Sequence, residues 1–309
     1  AKVVSQLGLN PDLWILAQGT IYPDTIESGG TKHADKIKTH HNRVPEMQAL
    51  IDAGKVIEPL KDLYKDEVRE LGTLLDLPEA LVWRHPFPGP GLAVRCLCSQ
   101  GEADYPESHK DTEASINKLL EEHGLKAKVL PIKSVGVQGD ARTYRHPVVI
   151  HGDGVDLFDP DLGRTETNWH TLANLSTQIT NSFSDINRVL YSPQAELADI
   201  EIQKAYSTPK RIAVLQEADD VVHNMIAEHE VDRAIWQFPV VLIPISINQT
   251  NDESIVLRPV CSTEAMTAHF YNMSSDLHNK MRDNLLNING VSGVFYDITH
   301  KPPGTIEWE

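Results

Sequence analysis

The sequence predicts an α/β protein, and three observations carry that prediction. A short apolar run, Trp14-Ile15-Leu16-Ala17, stops at Gln18-Gly19-Thr20, which is how a buried strand runs into a glycine turn. Residues 59–76 set Leu60, Leu63, Val68, Leu71 and Leu75 at helical spacing. From Lys128 onward, strand-like apolar runs alternate with helical stretches.

Taken in order, Asn10-Pro11-Asp12 marks a turn before the first strand. That strand needs sheet neighbours, and too little chain precedes it to supply them, so the sequence is expected to start inside a domain. Pro59 suits the first turn of the helix over 59–76, Pro78 closes it, and residues 79–83 make one further turn. His-Pro-Phe-Pro-Gly-Pro-Gly (85–91) excludes regular structure: three prolines remove donors and fix φ, while two glycines permit positive φ. Residues 99–112 are polar and charged and read as a linker or surface stretch. Strands are expected over 129–137, 148–150 and 189–191, with a helix over 171–182. A second series places strands over 240–245, 255–260 and 294–298, with a helix over 275–287. The ends of the two series, Ile186-Asn187-Arg188-Val189-Leu190-Tyr191 and Val291-Ser292-Gly293-Val294-Phe295-Tyr296, are alike enough to predict a duplicated unit.

Composition sets limits on function. The 309 residues are 40% hydrophobic and 23% charged, an ordinary globular balance. No apolar stretch approaches the roughly 18 residues of a membrane span, and no basic-then-apolar leader opens the chain. The net charge of −16 makes a poor general binder of nucleic acid, since phosphate binding needs clustered cations. Cys96, Cys98 and Cys261 are too few for a disulfide framework and fit a reducing cytosol. Cys96 and Cys98, two apart, would share one face of a strand as packing residues.

Five segments carry chemistry. In Gln18–Ser28, Asp24 and Glu27 follow a strand-end turn, where open α/β sheets bind ligands; they suit Mg²⁺ or hydrogen-bond donors, or simply cap a helix. Lys38-Thr39-His40-His41-Asn42 combines a phosphate-neutralising cation with polar donors. Lys61, Lys65 and Arg69 lie four apart, as do Asp62 and Asp66, giving either a solvated charged helix face or a cationic rail for polyphosphate. The loop His85, Pro86, Phe87, Pro88, Gly89, Pro90, Gly91, flanked by Arg84 and Arg95, offers backbone amides to phosphate oxygens or serves as a rigid connector. The terminal Lys301-Pro302-Pro303-Gly304-Thr305-Ile306-Glu307-Trp308-Glu309 reads as tied down, its lysine suited to an anion and its glutamate to a polar base.

Together and in this order, Ala17–Ser28, Ile37–Asn42, Arg84–Leu92, Val135–Arg142 and Lys301–Glu309 resemble the glutamine-hydrolysing GMP synthases. The resemblance is strong over 17–95, 129–145 and 236–309. It is weaker over 100–125 and 145–235, where it is nearest to members with a longer, two-part C-terminal region. It implies an incomplete adenine-nucleotide alpha-hydrolase-like (ATP-pyrophosphatase) parallel-sheet domain over 1–95 and a linker over 96–127. An α+β dimerisation region follows as two similar subdomains, 128–235 and 236–309. The amidotransferase nucleophile and histidine are absent, as is a Ser-Gly-Gly-x-Asp-Ser pyrophosphate loop; Ser28-Gly29-Gly30-Thr31-Lys32 mimics only its start.

The chemistry implied by the resemblance is amination of xanthosine monophosphate (XMP). ATP with Mg²⁺ adenylates the C2 oxygen, pyrophosphate leaves, and ammonia from glutamine displaces AMP to give GMP. By the same resemblance Asp24, Glu27 and Lys38–Asn42 belong to a lid and its catalytic motif, and Lys61, Asp62 and Lys65 align it. Residues 85–91 lie near the nucleotide, and Asp140, Gln237, Lys301, Thr305, Ile306 and Glu307 bind XMP. The implied partners are a glutamine amidotransferase domain or subunit and a second copy of the chain, in the cytoplasm. The competing readings are a non-catalytic purine-nucleotide-binding dimerisation fragment and another ATP-pyrophosphatase, such as an NAD synthetase or argininosuccinate synthetase; the C-terminal motif argues against the latter.

Overall fold

Strand alternation and helix spacing build two units, Ala1–Arg84 and His85–Glu309, in the computed structural model. It describes residues 6–8, 10, 13–28, 45–139, 141–152, 165–193, 197, 199–247, 250, 252–262 and 267–309. Among these, no helix is long and apolar enough to cross a membrane.

In the first unit, β1 (Leu16–Ala17) pairs in parallel with β2 (Val56–Ile57). Helices α1 (Tyr22–Ser28) and α2 (Pro45–Asp52) lie between them in sequence, and α3 (Lys65–Leu74) and α4 (Glu79–Val82) follow. Two expectations are corrected. The run Trp14–Ala17 is not a buried strand: Leu16 and Ala17 alone of its residues pair, and Trp14, Ile15 and Leu16 are 55%, 54% and 48% exposed. The helix over 59–76 begins at Lys65, because the Glu67 carboxylate accepts from the Tyr64 N–H at 2.7 Å and caps the start there. Lys61 and Asp62 therefore sit in the preceding turn, and Lys61 shares no helix face with Lys65 and Arg69.

Among the described residues, the second unit is built on a seven-stranded mixed sheet with helices on one face, and three two-stranded sheets accompany it. Its elements are β3 (Ser99–Gln100), α5 (His109–Leu120), β4 (Lys126–Val129), β5 (Ser134–Gln138), β6 (Ala141–His151), α6 (Thr165–Ser182) and β7 (Ile186–Ser192). Then come β8 (Ile200–Ile202), β9 (Lys204–Ala205), α7 (Pro209–Glu228), β10 (Val240–Ile243), β11 (Ile245–Ile247) and β12 (Glu253–Leu257). β13 (Val260–Cys261), β14 (His269–Phe270), α8 (Ser275–Leu286) and β15 (Val291–Asp297) complete it. The sheet order is β10-β12-β15-β7-β6-β4, with β5 paired to β6.

This order is a duplication. The series α5-β4-β6-α6-β7 is repeated as α7-β10-β12-α8-β15, and the sheet reads outward from a central β7–β15 seam. β6–β7 and β12–β15 are each parallel pairs around a crossover helix. Each pair slips register at the same place: His146↔Ile186 precedes Pro147↔Arg188, and Glu253↔Val291 precedes Ser254↔Gly293. Leu130-Pro131-Ile132 and Ile243-Pro244-Ile245 interrupt equivalent edge strands, since proline cannot donate to a ladder. For that reason 129–137 forms two strands, and so does 240–245.

Along β6, β10, β12 and β15, alternate residues point to opposite faces. Val148, Ile150, Val240, Leu242, Ile255, Leu257, Val294 and Tyr296 join the helices in one core. Val149, Val241, Ile243, Val256 and Phe295 form the other, closed by Trp308. Residues 96–127 are thus no linker: Ile116 and Leu120 of α5 are fully buried in the first core, as are Leu215, Ala218 and Val222 of α7. Nor do 128–235 and 236–309 stand apart, because one sheet runs through both. Cys96 is buried and Cys98 exposed, so the two do not share an environment.

Candidate functional site

Three routes bring polar groups to one place in the second unit. The 3₁₀ turn Gly91–Arg95 leads into residues that pair with the edge of β10, Leu97 N–H donating to the Leu242 carbonyl at 2.9 Å, and this delivers Arg95. A backbone bridge between Gln237 and Val260 delivers Gln237 just before β10. The chain after β15 returns as a strap along β5: Val137 N–H donates to the Pro303 carbonyl at 2.6 Å and Val135 N–H to the Trp308 carbonyl at 2.9 Å. The strap carries Lys301, Thr305, Ile306 and Glu307.

At their meeting point the Glu307 carboxylate accepts from Arg95 Nε at 3.0 Å, Arg95 Nη2 at 2.8 Å and Gln237 Nε2 at 2.8 Å. Arg95 is 1% exposed and Glu307 22%, so this bidentate pair is largely shielded from water, with the carboxylate keeping the remaining exposure. The Arg95 guanidinium lies 5.1 Å over the Phe87 ring, joining the Pro/Gly loop to the site. Asp219 of α7 stands 3.8 Å from Arg95 and 3.5 Å from His223. Burial pushes its carboxyl up, against the pull of His223 and Arg95. His223 in turn packs edge-on to His85, whose Nε2 meets the Asp232 carbonyl at 2.8 Å.

Beneath the strap lies a buried charge cluster. Asp297, at the end of β15, accepts from Arg188 Nη1 at 2.8 Å, Arg258 Nη1 at 3.1 Å, Trp308 Nε1 at 3.1 Å and its neighbour Thr299 N–H at 3.0 Å. Arg188, Arg258, Asp297 and Trp308 have no exposed surface. Two cations and one anion leave an excess positive charge, which backbone carbonyls offset: Arg188 also donates to Val135, Thr305 and Glu307, and Arg258 to Thr299 and Thr305. Burial lowers the pKa of both arginines, of Arg188 to about 10.

Of the residues expected in the site, Gln237 and Glu307 meet here and Phe87 joins them through Arg95, whereas Thr305 and Ile306 flank Glu307 in the strap and turn to other partners. Thr305 Oγ1 donates to the Val135 carbonyl at 2.9 Å, and Ile306 packs with Val260, Ala268 and Trp236. The Lys301 backbone exchanges hydrogen bonds with Ala268. Asp24 accepts from the Ile21 N–H at 3.0 Å, which is a capping contact, and Glu27 lies in the same helix α1. Asp24, Glu27, Lys61 and Asp62 all belong to the first unit. Lys38, Thr39, His40, His41, Asn42 and Asp140 lie outside the described residues. Arg95, first read as a flank of the loop, proves to be the partner of Glu307. Arg188, Arg258 and Asp297 were missed; the signal was a charged residue inside or beside an apolar run, which demands a buried partner.

The arrangement is a partly exposed carboxylate held by a guanidinium and an amide, on a pinned terminal segment of an α/β unit. The chain belongs to the family described as the GMP synthase C terminal domain, whose model matches residues 119–201 and 224–308, one stretch on each structural repeat. It is 47% identical over its whole length to a probable glutamine-hydrolyzing GMP synthase of Leptospira interrogans. Over 99% of its length it is 36% identical to a GMP synthase of Dictyostelium discoideum and 34% to a probable one of Caenorhabditis elegans. The chain spans about half the length of these relatives: 49%, 48% and 50% of each.

Proposed function

We propose that the chain is the C-terminal part of a GMP synthase and binds XMP for ATP-dependent amination. The observation that carries this reading is the Glu307 carboxylate, fixed by Arg95 and Gln237 on the terminal strap of a chain of this family. A xanthine ring presents N–H donors, and a largely shielded carboxylate whose Oε2 accepts only one hydrogen bond from the protein is a natural acceptor. Lys301, four residues before Thr305, supplies charge for the phosphate. Arg95 keeps the Glu307 carboxylate aimed, so less ordering remains to be done when the purine arrives.

In the first unit, the ATP-pyrophosphatase reading rests on the family and on the short parallel pair β1–β2. In this reading Asp24, Glu27, Lys38–Asn42, Lys61 and Asp62 serve the lid that shields the adenylyl-XMP intermediate from water until ammonia displaces AMP. In this reading Mg²⁺ is carried by the oxygens of the triphosphate, the hard ligands that a small divalent cation prefers. Ammonia comes from a glutamine amidotransferase domain or subunit, and the working form is a cytoplasmic homodimer.

The test uses the intact protein that carries this chain, with ATP, XMP and ammonia. Glu307→Gln is expected to raise the KM for XMP about tenfold or more while the KM for ATP holds, the loss of one charge-assisted contact. His41→Ala and Lys38→Ala are expected to abolish GMP formation without unfolding. An unaltered XMP KM in Glu307→Gln would refute the site; normal turnover in both lid variants would refute their role.

A further inference from the structure

We propose that Arg188, contributed by the first repeat, is a positioning residue for the nucleotide site on the second: it holds the terminal strap so that Glu307 meets Arg95 and Gln237. This deepens the reading above and rests on it.

The argument starts from where the donors of Arg188 go. Nε donates to Ser134 Oγ at 3.1 Å and Nη1 to Asp297 at 2.8 Å. Nη2 reaches the Val135 carbonyl at 3.0 Å, the Thr305 carbonyl and hydroxyl at 2.9 Å each, and the Glu307 carbonyl at 3.0 Å. Three of these contacts fall on residues 305–307 of the strap, and the guanidinium lies 4.8 Å from the Trp308 ring. A planar fork with five N–H donors can serve β5, β15 and the strap at once; an ammonium cannot.

The duplication supplies a control within the molecule. In the first repeat the residue after the register slip is Arg188, opposite Pro147; in the second it is Gly293, opposite Ser254. A Cβ at Gly293 would lie 2.8 Å from Ile247 Cδ1 and 2.8 Å from Ser254 Oγ, so that place is filled with no side chain at all. The repeat fold therefore does not require a guanidinium at this position. Arg188 stands only in the copy that faces the strap, and its carboxylate partner, Asp297, ends the other copy.

The experiment is Arg188→Lys in the intact protein, read in three ways. First, the KM for XMP is expected to rise about 10- to 100-fold, with kcat within about threefold and the KM for ATP unchanged. Second, hydrogen exchange is expected to quicken across 299–309 while β6, β7 and β12 stay protected. Third, Arg188→Lys combined with Glu307→Gln is expected to be no worse for XMP than Glu307→Gln alone, because the arginine acts through that carboxylate. Wild-type protection of the strap, or a multiplicative loss in the double variant, would overturn the proposal. If Glu307→Gln leaves the XMP KM unaltered, the site reading falls; the exchange arm still decides whether Arg188 holds the strap. Should Arg188→Lys fail to fold, Thr305→Val removes one of its acceptors from the strap side and must show the same quickened exchange; unchanged exchange there would equally sink the idea.

Discussion

Glu307 is a carboxylate whose charge is balanced before any substrate arrives. Removing its partner with Arg95→Met keeps much of the side-chain volume but leaves the anion with only Gln237 and the water on its open side. The expected cost is about 2 kcal/mol of stability together with a raised XMP KM, read by urea denaturation and by initial rates. An XMP KM equal to that of the parent would show that Arg95 only packs. A second residue bears on pH. His278 of α8 is buried against Tyr296, and burial, aided by Arg282, pushes its imidazole down to about 4. The folded protein keeps it neutral, whereas the unfolded chain takes up a proton below about 6.5. Its contribution is therefore fully present above about pH 6.5 and is lost as pH falls toward 4, by up to about 3 kcal/mol. His278→Gln should flatten that part of the stability–pH curve; an unchanged acid limb would assign the loss elsewhere. At this scale the terminal motif was legible in the sequence because its residues are adjacent. The cluster of Arg188, Arg258 and Asp297 was not, because its members lie far apart in the chain and meet only through strand pairing.

Elements were legible where a single period dominated. The strands β6, β7, β12 and β15 announce themselves as apolar runs because both of their faces are buried, and α6 and α8 follow from their helical spacing. Helix α5 was hidden by its polar start, although Thr112, Ile116 and Leu120 recur at four-residue intervals on its buried face. Helix α7 carries the same kind of stripe after Thr208 and Pro209, where the Thr208 hydroxyl accepts from the Arg211 N–H at 3.3 Å. No period predicts the strap: it is a proline-rich segment whose place is fixed by β5. The close approach there depends on Gly136, where a Cβ would lie 2.8 Å from both the Pro303 carbonyl oxygen and Asn187 Nδ2. Gly136→Val must push the strap away from β5 and is expected to cost about 1–3 kcal/mol, the usual range for overpacking. Thermal melting gives the cost, and exchange across 299–309 locates it. A melting temperature equal to that of the parent would mean that the strap and β5 separate without penalty.

The molecule's second unit raises the question of whether two copies of one fold behave as two domains. The backbone seam is narrow: Tyr296↔Tyr191 and Asp297↔Leu190 pair between β15 and β7, and Ile298 N–H donates to the Val189 carbonyl at 3.0 Å. Side chains make it much stronger. Trp169, from the first repeat, donates to the Met273 carbonyl at 3.1 Å and packs 5.1 Å from Tyr296 and 5.6 Å from Phe270. Val189 N–H donates to Thr299 Oγ1 at 2.8 Å, and the fully buried pair Arg188–Asp297 crosses the same line. Exposing either repeat alone would strand a buried ion in the other and open a shared core, a cost far above that of two backbone pairs. The two repeats are therefore expected to unfold together, with exchange protection in β6 and β12 lost at the same urea concentration. Arg188→Lys weakens the ionic part of the seam and should shift both midpoints equally. Separate midpoints in the parent protein would mean that the repeats are independent domains.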